Sequence, residues 1–433
     1  MFRNNRSKLP WLMASIWLLI GQTALAADNV PSGAAPEVGQ NSFLEALTGG
    51  TPSLDLRYRY EDVQQNNFSH AAVANTVRTR LGYETGLWDD FKANVQVQNL
   101  MPVASEHYND GTNGLTQYPT IADPRQTLQL YQGNLSWQGL PDTTLTIGRQ
   151  AYILDDERWV GVSDWRQLGQ TFDSLTVKNH SIPDLDLFYS YVFHVNRVYG
   201  PDARFGSGGT APGEYDMHSN LFHASYTGIP GVKLIGYSYL LDNSNSSVNS
   251  TATTGGRFEG KHVLFDEVGG LFNAEYAHQE SAFNNPAAYG FNYYLIEPGA
   301  TVGPFTAKVG YDVMEGNGTN SLQTPLASFH GFNGWAERFL TTPASGLDTL
   351  YISTCYKTKD YNDWLGPTVV KFIWYDFNAN SADLHDGNEY DAWLGQTFYQ
   401  HFTLGLSYGD FRADQLSSLA NTRKLVLQLQ VKY

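Results

Sequence analysis

Arg57 and Arg59, and twenty-one residues on Arg78 and Arg80, stand two residues apart in segments where polar and apolar side chains alternate. On a strand, residues i and i+2 share a face. Each pair therefore projects its guanidinium groups to one side, and Lys92 on the next alternating segment adds a third rung. A guanidinium matches a carboxylate in shape and charge and can hold it with two parallel hydrogen bonds. A basic ladder of this kind suits recognition of an anion. Asp55, Glu61 and Glu84 lie close enough in sequence to neutralise it in part. The arginines are concentrated at the front. Of twelve Lys or Arg between Ala27 and Arg204, ten are Arg; of the twelve beyond, four are.

A second concentration of charge runs Asp155-Asp156-Glu157-Arg158 to Arg166, beside Trp159 and Trp165. Arg149, Asp156, Arg158 and Arg166 are taken as candidates to line a pore, because such a density of charge cannot face lipid, where one midplane cation costs about 2–4 kcal/mol. A third stretch, Pro325 to Pro343, is a loop with defined turns, yet it carries Phe329, Phe332, Trp335 and Phe339. It should fold inward as a plug or gate, with His330, Phe332, Trp335 and Arg338 at its contacts, and Glu337 as the alternative to Arg338.

Chemistry of other kinds finds no motif. The chain has no G-x-S-x-G, H-E-x-x-H, P-loop or paired C-x-x-C. The single Cys355 reads as a small wall residue. His218 and His223, five apart on a strand, fall on opposite faces, so no metal site and no cofactor are expected. An enzyme of the barrel rim and a non-conducting scaffold barrel are the alternatives to a channel.

The elements that position these residues are strands. Leu54, Leu56, Tyr58 and Tyr60 alternate with Asp55, Arg57, Arg59 and Glu61; Leu185 to Val195 repeat the pattern; Leu425, Leu427, Leu429, Val431 and Tyr433 occupy every second position to the end. Aromatic residues make up 14% and charged residues 16%, with 27 tyrosines and 41 glycines. That composition and period predict an all-β fold, a transmembrane antiparallel β-barrel of about 18 strands with 16 as the alternative, apolar outside and polar within. Short gaps such as Trp88-Asp89-Asp90 are periplasmic turns. Long ones (102–124, 199–215, 242–256, 316–346) are extracellular loops.

The ends divide the chain further. Arg3, Arg6 and Lys8, the apolar run 11–20 and Ala24-Leu25-Ala26 form a signal peptide over 1–26, cut after Ala26. Residues 27–50 are a periplasmic lead-in with one helical turn near Phe43, and 51–433 the barrel. Ten apolar residues are too few for a spanning helix. The formal charge of −16 becomes about −19 without the leader and excludes nucleic acid as a partner.

The stretches Gly148-Arg149-Gln150, Asp155 to Arg158, Gly161, Trp165-Arg166-Gln167 and Thr171-Phe172-Asp173, with Thr324 to Ala327, His330, Phe332 to Ala336, Phe339-Leu340, Thr342-Pro343 and Gly346-Leu347-Asp348, resemble the alginate-export family of outer-membrane barrels. That resemblance implies a large monomeric barrel in the cell outer membrane, with a charged lumen narrowed by inward loops. Its implied partners are membrane lipid and a hydrophilic solute, either an anionic polysaccharide or a small carboxylate, passing by diffusion.

Overall fold

The computed structural model describes residues 42–104, 107–124, 127–203, 213–265 and 267–433. The leader, its cut after Ala26 and residues 27–41 of the lead-in lie outside the described residues, as do 204–212 of one long gap. Helix α1 (Phe43–Thr48) opens the described chain, with Ser42 and Glu45 each capping the other's backbone N–H.

Eighteen strands follow: β1 (Thr51–Gln65), β2 (Ala72–Glu84), β3 (Phe91–Pro102), β4 (Thr127–Leu140), β5 (Thr143–Gln150) and β6 (Thr171–Ile182); β7 (Leu185–Asn196), β8 (Glu214–Ile229), β9 (Val232–Leu241), β10 (Thr251–Phe265), β11 (Val268–Ser281) and β12 (Gly290–Val302); β13 (Phe305–Met314), β14 (Leu347–Lys357), β15 (Leu365–Asn378), β16 (His385–Phe398), β17 (Phe402–Ala413) and β18 (Thr422–Lys432). Each pairs antiparallel with the next, and β18 returns to β1 in register from Asp55↔Lys432 to Gln65↔Thr422. The barrel closes at eighteen strands and leaves no open edge.

Its polarity is inverted relative to a soluble protein. Leu425, Leu427 and Leu429 are exposed on the outer surface, whereas Lys424, Gln428 and Gln430 of the same strand are buried inside. Arg57, Arg59, Arg78 and Glu61 are buried to within 1%. Charges gather within because the outer face must meet hydrocarbon, and no described helix is long and apolar enough to cross a membrane. Short turns lie at the end that carries α1 and Tyr433. There Asp89 and Asp90 adopt left-handed φ values of 47° and 65°.

Two details depart from the alternation. Against β6, where consecutive Asp173 and Ser174 face His194 and Val192, Phe193 is an extra residue in β7; it faces out at 43% exposure, while Val195, expected outward, is fully buried. And β10 begins at Thr251, inside the gap expected as a loop. Its Gly255 hides the strand from a pattern reading because it makes room for a ring: a Cβ there would lie 2.6 Å from the Tyr237 hydroxyl.

The interior is filled by chain rather than left wide. Segments 151–170 and 315–346 turn inward and pack two apolar clusters. One, around Tyr152, Trp159 and Leu326, lies against β6 to β13; the other, around Trp165, Trp335 and Phe339, lies against β14 to β18.

Candidate solute channel

The first lumen segment is tethered at its centre by one carboxylate. Arg57 and Arg78 face each other in the β1–β2 register. Asp164 meets both of them and Arg80: its carboxylate lies 3.2 Å from Arg57 Nη2, 2.8 Å from Arg78 Nη1 and 2.6 Å from Arg80 Nη1. Arg57 also donates to the Asp164 carbonyl at 2.7 Å. Burial alone would raise Asp164, but Arg80, Arg78 and Arg57 outweigh it and hold the carboxyl well below its usual range. Arg78 further binds Asp55 at 2.6 Å. Arg59 stacks over the Trp165 ring at 4.5 Å and donates to Gln428 at 3.0 Å. The four arginines thus stand on the inner face, and all four are engaged by one loop, three through Asp164 and Arg59 through Trp165.

Two other expected rungs do not join them. Lys92 has inward parity but sits at the turn end of β3, ion-paired with Glu84. Arg149 does not line the lumen. It shares the parity of Ile147, which is 55% exposed on the outer face, and its guanidinium holds Asp173 through bonds of 2.7 and 2.9 Å. The charge is carried on the outside because a bidentate partner neutralises it there.

The same segment spans to the opposite wall. Arg158 pairs with Asp312, which also accepts from the Tyr293 hydroxyl at 2.7 Å, and its guanidinium lies 4.3 Å over the Phe332 ring. Asp156 binds Arg257 at 2.6 Å, and Arg257 binds Glu275 at 2.7 Å. Asp155 lies 2.8 Å from His223.

The second segment is stitched to the first and to the wall. Gly161 N–H donates to Leu326 C=O at 2.9 Å, and Ser328 N–H to Glu157 C=O at 3.0 Å. The Glu157 carboxylate accepts from Val162 N–H and from the Ser328 hydroxyl, and burial pushes it up to about 7. On the far side Trp335 and Ala336 donate their N–H groups to Asp391 and Glu389, at 3.0 and 2.6 Å.

A cavity of about 300 Å³ opens between the long-loop ends. Its floor holds Trp165, Arg166, His330, Glu337 and Lys424, and Arg338 lies at its side. His330 stacks on Trp165 with ring centroids 3.8 Å apart and planes 6° from parallel. Burial first, then Lys424 and Arg166, push it well below its usual range, so it is neutral. Arg338 Nε has no hydrogen-bond partner among the described residues. Asp164 and Lys424 were not singled out as site residues in the sequence, whereas Glu337 was named with Arg338 as a contact of its loop. Only the charge density of 155–166 pointed toward the first, and a loop's inward fold leaves no period to read.

The architecture defines a class: transmembrane barrels closed at eighteen strands, whose lumen is narrowed by their own long loops. No protein-family model matches the chain, and no curated protein sequence does. Among solved structures it is similar to Acinetobacter baumannii OccAB4 at 17% identity and TM-score 0.68, covering 89% of this chain and 98% of that one. It is also similar to OccAB2 of the same organism (14%, TM-score 0.69, 90% and 99%) and to the outer-membrane protein OpdK of Pseudomonas aeruginosa (13%, TM-score 0.67, 89% and 100%). OpdK has also been crystallised with vanillate. The likeness is one of fold. It overturns the resemblance to the alginate-export family. The stretches that suggested that family are the two lumen segments, whose mix of charge, aromatic rings and turns suits any barrel with inward loops.

Proposed function

We propose that the chain is an outer-membrane channel, without cofactor or chemical step, through which a small anionic solute bearing a carboxylate diffuses as through a porin. The observation that carries this is the cavity above the lumen segments, with Arg166 and Lys424 in its floor and Arg338 at its side. The OpdK structure with vanillate, a carboxylate, supports the solute class. A polysaccharide chain is not part of the reading, because two segments bonded to each other across the lumen favour a narrow passage. The barrel closes within one chain and is taken to act as a monomer, exported by the leader over residues 1–26.

The overall charge of about −19 would repel anions, but loop carboxylates are screened beyond about 8 Å at physiological salt, while charges in a low-dielectric passage act at full strength. Purified protein in a planar bilayer should give stepwise conductance, with a reversal potential in a KCl gradient that shows anion preference. Arg338→Glu should cut that preference about twofold or more by reversing a charge at the mouth. Cation preference in the wild type, or a bilayer that stays silent even after deletion of residues 331–343, overturns the proposal.

A further inference from the structure

The cavity floor already contains a carboxylate bound as a solute's would be. Glu337 is held by Arg166, by Lys424 Nζ at 2.7 Å, and by His330 Nδ1 at 2.9 Å. Beneath it, Glu61 binds the same two cations, at 3.4 Å from Arg166 and 2.9 Å from Lys424, and faces Arg59 at 3.9 Å. Asp123 completes the cluster from the β3–β4 connection, accepting from Thr76 at 3.0 Å. Arg59, Arg166 and Lys424 thus face Glu61, Asp123 and Glu337. Departure of Glu337 removes one negative charge from Arg166 and Lys424.

The two carboxylates that touch Arg166 and Lys424 are not equally fixed. Glu61 sits in mid-strand, paired with Ala74 on one side and Val426 on the other. Glu337 lies in a loop, in a left-handed conformation with φ 57°, three residues after Gly334 at φ 88°. Its own N–H makes a long bond of 3.4 Å to Gly334 C=O. Such a residue stores backbone strain that departure would release. An independent donor lies at the same place: Trp165 lines the cavity, and its buried indole N–H has no partner among the described residues.

We propose that Glu337 is a resident carboxylate occupying the anion-binding position of the channel, and that a solute carboxylate passes by taking its place on Arg166 and Lys424, with the Trp165 N–H as a further donor. Glu337 then swings aside beyond the anchored Trp335 and Ala336, and the passage widens when the solute binds. This rests on the channel reading above and deepens it: Glu337 competes with the solute and narrows the unoccupied channel.

The test uses the full-length protein in planar bilayers, with benzoate as the probe and benzyl alcohol as its uncharged counterpart, reading affinity from the concentration dependence of the change in current. If Glu337 fills the site about nine-tenths of the time, Glu337→Gln should tighten benzoate about tenfold and leave benzyl alcohol unchanged. Lys424→Gln should weaken benzoate in either background. Glu337→Asp keeps the charge but shortens its reach, and should fall between wild type and the Gln variant. Should the Gln variant not reach the heat-modifiable folded form, the Asp variant decides alone. Benzoate affinity unchanged or weakened in the Gln variant, or in the Asp variant where that one decides, overturns the proposal while the wild type still prefers anions. A wild type that is silent or cation-preferring fails the channel reading instead.

Discussion

Asp164 is one carboxylate shared among three guanidinium groups, and that ratio makes it the residue on which the first lumen segment depends. Asp164→Asn would leave Arg57, Arg78 and Arg80 buried with Asp55 as their remaining close anion. Breaking a buried pair by removing one partner costs about 3–5 kcal/mol. That cost falls on the docking of segment 151–170 and spares the wall, whose strands keep their ladders. The variant should insert normally, conduct more than the wild type, and become sensitive to trypsin at Arg158 or Arg166; unchanged conductance with a protected loop would show that the tether is dispensable. The arginines were legible in the sequence because strand alternation fixes their face. Their partner was not, since nothing in the spacing of a loop says which strand it will meet. Arg149 misled for a related reason: it directly follows Gly148, at φ 118°, and adjoins the charged stretch, yet strand parity carries it outward to Asp173.

At the scale of elements, the two lumen segments behave as one constriction because Glu157 joins them. Its folded pKa of about 7 lies above its ordinary value, so the acid form is the one the junction favours. That contribution is fully present below the ordinary carboxylate range and is lost as pH rises through about 7. Open-channel current should therefore be steadier at pH 5 than at pH 8, with conductance rising across that interval, and Glu157→Gln should flatten the dependence. An equally steep rise in the Gln variant would place the titrating group elsewhere. The start of β7 at Leu185 was readable from its period. The start of β10 was not, because Gly255 and Gly256 look like a loop until the Tyr237 ring beside Gly255 explains the missing side chain.

For the whole molecule, the outward apolar face is what fixes the barrel in lipid. Leu427, opposite Tyr60 and Leu406 in the ladder, tests it: Leu427→Arg should cost about 2–4 kcal/mol near the midplane and lower the yield of heat-modifiable folded protein. Normal yield would mean that this face does not meet hydrocarbon. The strand number was legible from a count of alternating segments, whereas the substrate class was not, since it depends on how loops meet inside. The cavity floor also lies across the join of the first and last strands. Arg59 and Glu61 come from β1, Lys424 and Gln428 from β18, and the Arg59 to Gln428 bond links residues 369 apart in sequence. So distant a contact is the slowest kind to form. During biogenesis the floor therefore cannot exist until the last strand made has met the first. A chain stalled before that meeting would hold its cations without their seat, as a leak with no preference, and selectivity would arrive in the same step that completes the wall.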